Sequence, residues 1–136
     1  DMVNICNEYS KGVADKIFIY AANEGMILAQ HFYCINTNLY KCSKLNNTGL
    51  TVSFDVSIDC QRQVLDILNE DIQRLQSLCE KYDQPVPKLM KLVYEPKTKK
   101  FNGEYKYENQ TTDEVSVFDN YDAWFEEEKS RLEKQG

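Results

Sequence analysis

The chain of 136 residues has no long apolar run. Its longest apolar-leaning stretch, residues 26 to 35, is interrupted by Gln30 and His31, whereas a membrane-spanning helix needs roughly 20 consecutive apolar residues. We therefore expect no transmembrane segment and no membrane partner. The first eight residues have neither a basic nor an apolar region, so we also expect no secretory signal.

Paired cysteines are absent as well. The five cysteines lie at positions 6, 34, 42, 60 and 79, and no two of them form a C-x-x-C pair. An odd number without close pairs fits neither a disulfide framework nor a zinc site. Because free cysteine persists as a thiol in reducing compartments, we expect five reduced thiols, no metal, no cofactor and a cytoplasmic protein.

Catalytic motifs are missing too: the sequence contains no nucleophile elbow, phosphate-binding loop, dinucleotide-binding loop or zinc-protease motif. His31 is the single histidine, and acid–base or cysteine chemistry would need a second group that no motif supplies. Glu126 to Glu128 cannot converge on one ion, because consecutive helical residues point about 100° apart. We expect no catalytic residue and interpret His31 as a partly buried strand residue whose ring is satisfied by its neighbours.

Negative charge is what the sequence has in excess, and it is confined to one end. From Glu108 onward there are nine acidic and three basic residues, which is the whole net charge of -6. The remaining 107 residues carry 13 of each sign, and their only basic cluster is Lys97, Lys99 and Lys100 in a predicted turn. Direct nucleic-acid binding is therefore not expected. The natural complement is a basic protein, and the alternative is a solvated, solubilising face.

The predicted C-terminal helix places several acidic residues where a partner could engage them together. Spacings of three and four put Asp119, Asp122 and Glu126 along one stripe. Two aromatic residues border that stripe and would serve as anchors if they are not fully buried. The predicted partner-binding residues are Asp119, Asp122, Glu126, Glu127, Tyr121 and Phe125.

The first half of the chain predicts a short helix and a meander. Helical spacing of apolar residues covers residues 2 to 14, and two β-rich runs, 16 to 22 and 26 to 35, flank a turn. Alternation over 39 to 45 predicts a third strand, and residues 50 to 56 predict a short strand or extended chain.

The strongest pattern predicts one long helix from about Asp59 to Tyr82. Its apolar positions step by three and four residues, Ser57 or Asp59 can cap its start, and Pro85 lies just beyond its end. A coiled coil is the alternative, but packing on the sheet is preferred because only about three heptads are available. The seam consists of Val64, Leu68, Ile72, Leu75, Cys79 and Tyr82.

The last part predicts a hairpin and a helix. Strands at 89 to 94 and 101 to 107 flank a polar loop, and the aromatic side of the second strand, from Phe101 to Tyr107, is predicted to be buried. Asp119 or Asn120 is predicted to cap the final helix, which Trp124 anchors to the core. The chain as a whole, residues 1 to 136, is predicted to be a single α+β domain. An antiparallel sheet, made of the meander and the hairpin, is covered on one side by the long helix, with N- and C-terminal helices.

The order of these elements resembles that of a known family over roughly residues 3 to 110. An N-terminal helix leads into strands at Lys16-Ile-Phe-Ile-Tyr-Ala and Gln30-His-Phe-Tyr, and a long helix ends at Leu75-Gln-Ser-Leu-Cys-Glu-Lys-Tyr-Asp-Gln-Pro. A hairpin follows, in which a phenylalanine opens the second strand and tyrosines alternate along it. This arrangement is similar to that of the YezG/EsaG-like immunity proteins, which are small acidic antitoxins against secreted nuclease toxins. The matching features are structural, so no binding residue is transferred from the family.

The resemblance implies an immunity protein of bacterial competition, including contact-dependent inhibition. Such a protein binds a cognate toxin domain in the cytoplasm and blocks its active site or its access to substrate. An acidic surface suits this function, because a nuclease presents a basic cleft. The alternatives are an acidic secretion or effector chaperone, normally a homodimer, that holds a partner's unfolded segment, and an enzyme built around His31. The sequence leaves monomer and dimer open.

Overall fold

The computed structural model describes residues 2–24, 26–49, 53–112 and 114–135, with the backbone alone for residues 134 and 135. It confirms the predicted α+β class. The elements in chain order are α1 (Met2–Tyr9), β1 (Lys16–Asn23), β2 (Ile27–Ile35), β3 (Asn38–Lys41), a 3-10 helix (Cys42–Asn47), α2 (Ile58–Lys81), β4 (Leu89–Glu95), β5 (Lys100–Lys106) and α3 (Val117–Gln135).

The strands form one antiparallel sheet in the order β3-β2-β1-β4-β5. The meander of the first three strands and the hairpin of the last two are both confirmed. Phe18 lies opposite Phe32 in the meander, and Leu92 lies opposite Gly103 in the hairpin. Strand β1 is central, and its pairing with β4 joins the two halves of the sheet.

Helices cover both faces of the sheet: the long helix α2 covers one face, as predicted, and α3 covers the other. In β1 the odd-numbered side chains from Ile17 to Ala21 pack in a core with α1 and α2. The even-numbered side chains from Phe18 to Ala22 pack in a second core with α3. Burial on both faces explains why this strand is a continuous apolar run rather than an alternating one.

Helix α2 begins and ends as predicted. The Ser57 side chain accepts a hydrogen bond from the backbone N–H of Cys60 at 3.2 Å, and this caps the first turn. At the other end Asp83 adopts a left-handed conformation with φ of 53°, and the N–H of Gln84 donates to the carbonyl of Cys79 at 2.8 Å. This is the Schellman arrangement that closes helices just before a proline-rich segment.

The apolar seam of α2 is buried over only part of its length. Val64, Leu68 and Ile72 lie in the core, Leu75 and Cys79 are half-buried, and Tyr82 is 64% exposed. The prediction of a seam buried from end to end was therefore wrong for its last turn. The helix packs mainly on α1 and β2.

Two other segments depart from the predicted strands. The third strand ends at Lys41, and the chain then forms a 3-10 helix in which Cys42 and Leu45 are buried, three residues apart. This spacing suits a helix with three residues per turn, because it puts on one side two residues that a strand would place on opposite faces. Residues 50–52 of the predicted extended stretch lie outside the described residues, and residues 53–57 have no regular structure.

Strand β5 is the largest departure. Phe101 and Tyr105 lie opposite Tyr94 and Met90, on the α2 side as the alternation requires, yet both are exposed. The prediction of a buried aromatic side was wrong because β5 is an outer strand that neither α2 nor α3 covers. A period of two shows that the two sides of a strand differ, but not that a helix packs on either.

Candidate functional site

Helix α3 positions the acidic residues that the sequence analysis selected. It begins three residues earlier than its predicted cap would place it, because Ser116 is the capping residue. The Ser116 N–H donates to Asp119 Oδ2 at 2.9 Å, and the Asp119 N–H donates to Ser116 Oγ at 3.2 Å. This reciprocal pair is a capping box, so the carboxylate of Asp119 stabilises the helix start. The prediction of Asp119 or Asn120 as the cap was wrong.

The inner side of α3 is aromatic and buried. Trp124 anchors the helix as predicted: its ring lies 5.0 Å from that of Phe32, and its Nε1 donates to Glu128 Oε1 at 3.2 Å. Tyr121 is 6% exposed and Phe125 is 9% exposed, and burial raises the pKa of the Tyr121 hydroxyl. The condition for these two to serve as surface anchors is not met, because their rings complete the second core.

The outer side of α3 presents an acidic surface, which we define as Asp119, Asp122, Glu126 and Glu127. All four are exposed. Asp122 Oδ1 accepts from Lys41 Nζ at 2.9 Å, which ties the helix to β3, and Glu127 Oε1 accepts from Arg131 at 2.7 Å. Glu126 forms no ion pair with any described side chain. The four carboxylates are thus brought together, but two are partly neutralised within the protein.

His31 is completely buried between the core aromatic rings, which is deeper than the predicted partial burial. Its Nδ1 is hydrogen-bonded to the hydroxyl of Tyr33, which in turn donates to the carbonyl of Cys6 at 3.3 Å. Its Nε2 has no partner among the described residues. Desolvation lowers the pKa of the imidazole to about 3, so the ring is neutral at pH 7 and sealed from solvent.

The five cysteines are free thiols. Cys6, Cys34 and Cys42 are buried, and burial raises the pKa of Cys6 to about 12 and that of Cys42 to about 11. Such thiols are protonated and unreactive at neutral pH. Within the part of the chain that the structure describes, no three histidine, cysteine, aspartate or glutamate residues are grouped to hold a metal ion.

A second surface was not predicted as a site. We call it the aromatic surface; it combines the C-terminal end of α2 with β5 and its continuation. A cavity of about 280 Å³ lies between these elements and is lined by Leu75, Cys79, Pro85, Pro87 and two tyrosines. Of the cavity lining, Tyr105 and Tyr107 are exposed, and we include in this surface the other large apolar residues that the same elements expose: Leu78, Tyr82 and Phe101.

Gly103 shapes the middle of the aromatic surface. A Cβ atom at this position would lie 2.7 Å from the hydroxyl oxygen of Tyr105, so the tyrosine ring lies flat over the glycine backbone. The alternation of aromatic residues in β5 could have revealed this surface, had the strand been placed at the edge of the sheet. Concentrated apolar exposure of this kind marks docking surfaces on soluble domains.

Another concavity, of about 600 Å³, lies between α3 and the β4–β5 hairpin. Lys16, Lys91, Lys100 and Arg131 line it together with three glutamates, so cations and carboxylates alternate around it. Of the predicted basic cluster, Lys97 pairs instead with Asp15 at 2.8 Å. The cleft has mixed charge and is not the basic patch that phosphate binding requires.

No helix in the described residues is both long and apolar enough to cross a membrane. Neither a protein-family model nor a curated protein sequence matches the chain.

Proposed function

We propose that this protein is an immunity protein that binds a basic toxin domain, with a nuclease as the favoured class of toxin, and neutralises it in the cytoplasm. The observation that carries the proposal is the acidic surface of α3. Four of the nine acidic residues in the last 29 residues lie on one exposed side of α3, over an aromatic core that fixes the helix to the sheet.

Electrostatics explains why such a surface suits an inhibitor. A nuclease must present cations to its substrate, and opposite charges on two proteins accelerate their encounter. The carboxylates stand on a capped helix rather than on a loop, so they are held in a fixed arrangement. Tight binding also needs apolar or aromatic anchors. Because Tyr121 and Phe125 are buried, those anchors must come from other residues near the acidic surface; exposed Phe118, on the first turn of α3, is the available aromatic.

The first experiment asks whether the chain neutralises a toxin. The probe is the basic C-terminal domain of a secreted protein encoded beside this gene. Expression of that domain alone should arrest growth, and coexpression of this chain should restore growth. A neighbourhood without such a domain, or growth that stays arrested despite soluble expression of both proteins, would refute the proposal.

The second experiment tests the acidic surface with a matched control. Asp122→Asn with Glu126→Gln removes two charges four residues apart on α3, and Asp66→Asn with Glu70→Gln removes the same types at the same spacing on α2. We expect the first variant alone to slow association with the toxin domain and to flatten its salt dependence. Equal association rates for both variants and the wild type at two ionic strengths would exclude the acidic surface as the binding face.

The aromatic surface favours one second candidate, a chaperone for a secreted effector, because chaperones hold unfolded segments on exposed apolar side chains. The state of the partner distinguishes the two functions. A toxin bound to an immunity protein stays folded and resists proteolysis, whereas a chaperone's client is cleaved readily in its bound segment.

A further inference from the structure

The outer edge of β5 is open. It ends the sheet order, and no strand in the described residues pairs with its outer side. The chain that follows leaves along the end of the sheet, where Asn109 accepts from Lys88 and Thr111 donates to Glu24. Among the residues that the structure describes, no helix, loop or strand covers the outer edge of the seven residues of β5, and such an edge can pair with another strand.

We propose that β5 of a second copy of this chain covers this edge, and that the two copies form a homodimer with a continuous antiparallel sheet. The two-fold axis is perpendicular to the sheet at Glu104, so residue 104 lies opposite its own counterpart. Two five-stranded sheets then become one of ten strands. The proposal goes beyond the proposed function and does not depend on it.

The exposed area is large enough for a stable contact. The five residues of the aromatic surface are each about half exposed or more. If a large side chain has roughly 200 Å² to bury, complete burial of these five side chains would remove about 500 Å² of exposed surface per copy and about 1,000 Å² for two copies. This matches the lower limit for a specific interface before the paired edge backbone is counted.

Charge selects the register. Centring the axis on Gly103 would pair all seven residues of β5 but would set Lys100 opposite Lys106 of the other copy twice. Centring it on Glu104 pairs Asn102 with Lys106 within β5 and, where the pairing continues past the end of β5 through residues 107 and 108, sets Lys100 opposite Glu108 twice. The two central Glu104 carboxylates would repel each other, but each has Lys106 of its own strand at 3.7 Å, so the centre of the interface carries two charges of each sign.

The aromatic residues fit the same register. Phe101 lies opposite Tyr107 of the other copy, and Tyr105 lies opposite Gly103, over which the Tyr105 ring of that copy already lies, so the rings of the two copies meet each other. Opposite residues of an antiparallel pair share one side of the sheet, and the rings of both copies therefore join on the α2 side. A partner with an unrelated sequence would need to reproduce this pattern, which a second copy supplies by symmetry.

Engineered disulfides test the register directly. Opposite residues in an antiparallel pair have Cα atoms about 4.5 to 5.5 Å apart, which is within the range of a disulfide. We expect Glu104→Cys to form a covalent dimer with a mild oxidant. Asn102→Cys is the matched control, because its two copies would lie four residues, or about 13 Å, apart along the strands. Wild-type protein treated with the same oxidant measures any crosslinking that the native cysteines produce.

Sedimentation velocity over a dilution series tests the dimer without crosslinking. Phe101→Ser should weaken dimerisation about tenfold or more, whereas Phe118→Ser, on α3, should leave it unchanged. The two phenylalanines are 52% and 57% exposed, so the variants are matched in burial.

Three results would overturn the proposal. A wild-type protein that stays monomeric throughout the series excludes the dimer. Crosslinking of Asn102→Cys at the rate of Glu104→Cys excludes the register. Weaker toxin binding by Phe101→Ser, with the wild type itself monomeric at the same concentration, assigns the surface to the toxin, in which case the proposed function stands and the homodimer fails.

Discussion

The clearest test of the fold compares two leucines on α2. Leu68 is fully buried against the sheet, and Leu78, ten residues later on the same helix, is 49% exposed. Leu68→Ala removes buried apolar volume from a core that cannot fully collapse, which costs about 2 to 5 kcal/mol. Leu78→Ala removes a side chain already half in water, and we expect a cost below about 1 kcal/mol. Helix propensity changes equally in both, so the difference isolates burial.

Urea denaturation measures both free energies of unfolding. Trp124 is the single tryptophan and lies in the core on the opposite side of the sheet from Leu68, so its fluorescence reports the α3 layer. Far-UV circular dichroism reports the helices as a whole. Coincident transitions would show that the two layers unfold together. The measurement needs a low protein concentration, because Leu78 belongs to the aromatic surface. Equal costs for the two variants, or a cost below about 0.5 kcal/mol for Leu68→Ala, would refute the described packing of α2.

Three further predictions concern titration, thiols and backbone conformation. Because the pKa of His31 falls from 6.5 to about 3 on folding, the unfolded chain binds the proton first as the pH drops. The free energy of unfolding should therefore decline by up to about 1.4 kcal/mol per pH unit between roughly pH 6 and pH 4. Urea titrations at roughly these two pH values should show no such decline for His31→Gln. Native mass spectrometry without reductant should find no internal disulfide, and half-buried Cys79 should react with a thiol reagent well before buried Cys6; the reverse order would contradict the described burial. Asp83→Gly should raise the free energy of unfolding by up to about 1 kcal/mol, because glycine adopts the left-handed φ of 53° without strain, and a loss of stability would mean that the aspartate side chain supports the turn.

The elements that the sequence predicts correctly are those with local signals. Helix α2 is marked by its periodic seam, by Ser57 at its start and by the proline segment after its end, and all three lie within a short stretch of chain. The first hairpin is marked in the same way by its turn residues. Each signal reflects backbone chemistry that acts over a few residues, so no knowledge of the tertiary structure is needed.

The errors concern what packs on each element. Alternation in β5 predicts a buried side, but the exposure of that side is decided by the place of the strand in the sheet. Strand β1 carried a usable signal, since an uninterrupted apolar run from Ile17 to Ala22 implies that both faces are covered. The 3-10 helix had no distinctive signal, because buried positions at Cys42 and Leu45 fit several local structures.

In the candidate site, too, some features follow from the sequence and others were predicted wrongly. The exposure of Asp119, Asp122 and Glu126 follows from their position opposite Trp124 on a helix, whereas Glu127 lies only three residues from the tryptophan, at the border of the buried side. Tyr121 and Phe125 lie three residues before and one residue after that tryptophan, and this spacing places them on the same buried stripe. The stripe that predicts Trp124 as a core anchor therefore argues against both neighbours as surface anchors.

The two proposals make a joint prediction about stoichiometry. A two-fold axis perpendicular to the sheet keeps both α3 helices on one face, and α3 covers β2 and β3 rather than β5. From β2 of one copy to β2 of the other there are seven strand spacings, or about 34 Å. Neither acidic surface is covered by dimerisation, and their separation leaves room for a small toxin domain on each. We therefore expect light scattering to detect a complex of two copies with two toxin domains. A complex of two copies with one toxin would instead place the toxin across the two-fold axis rather than on a single α3.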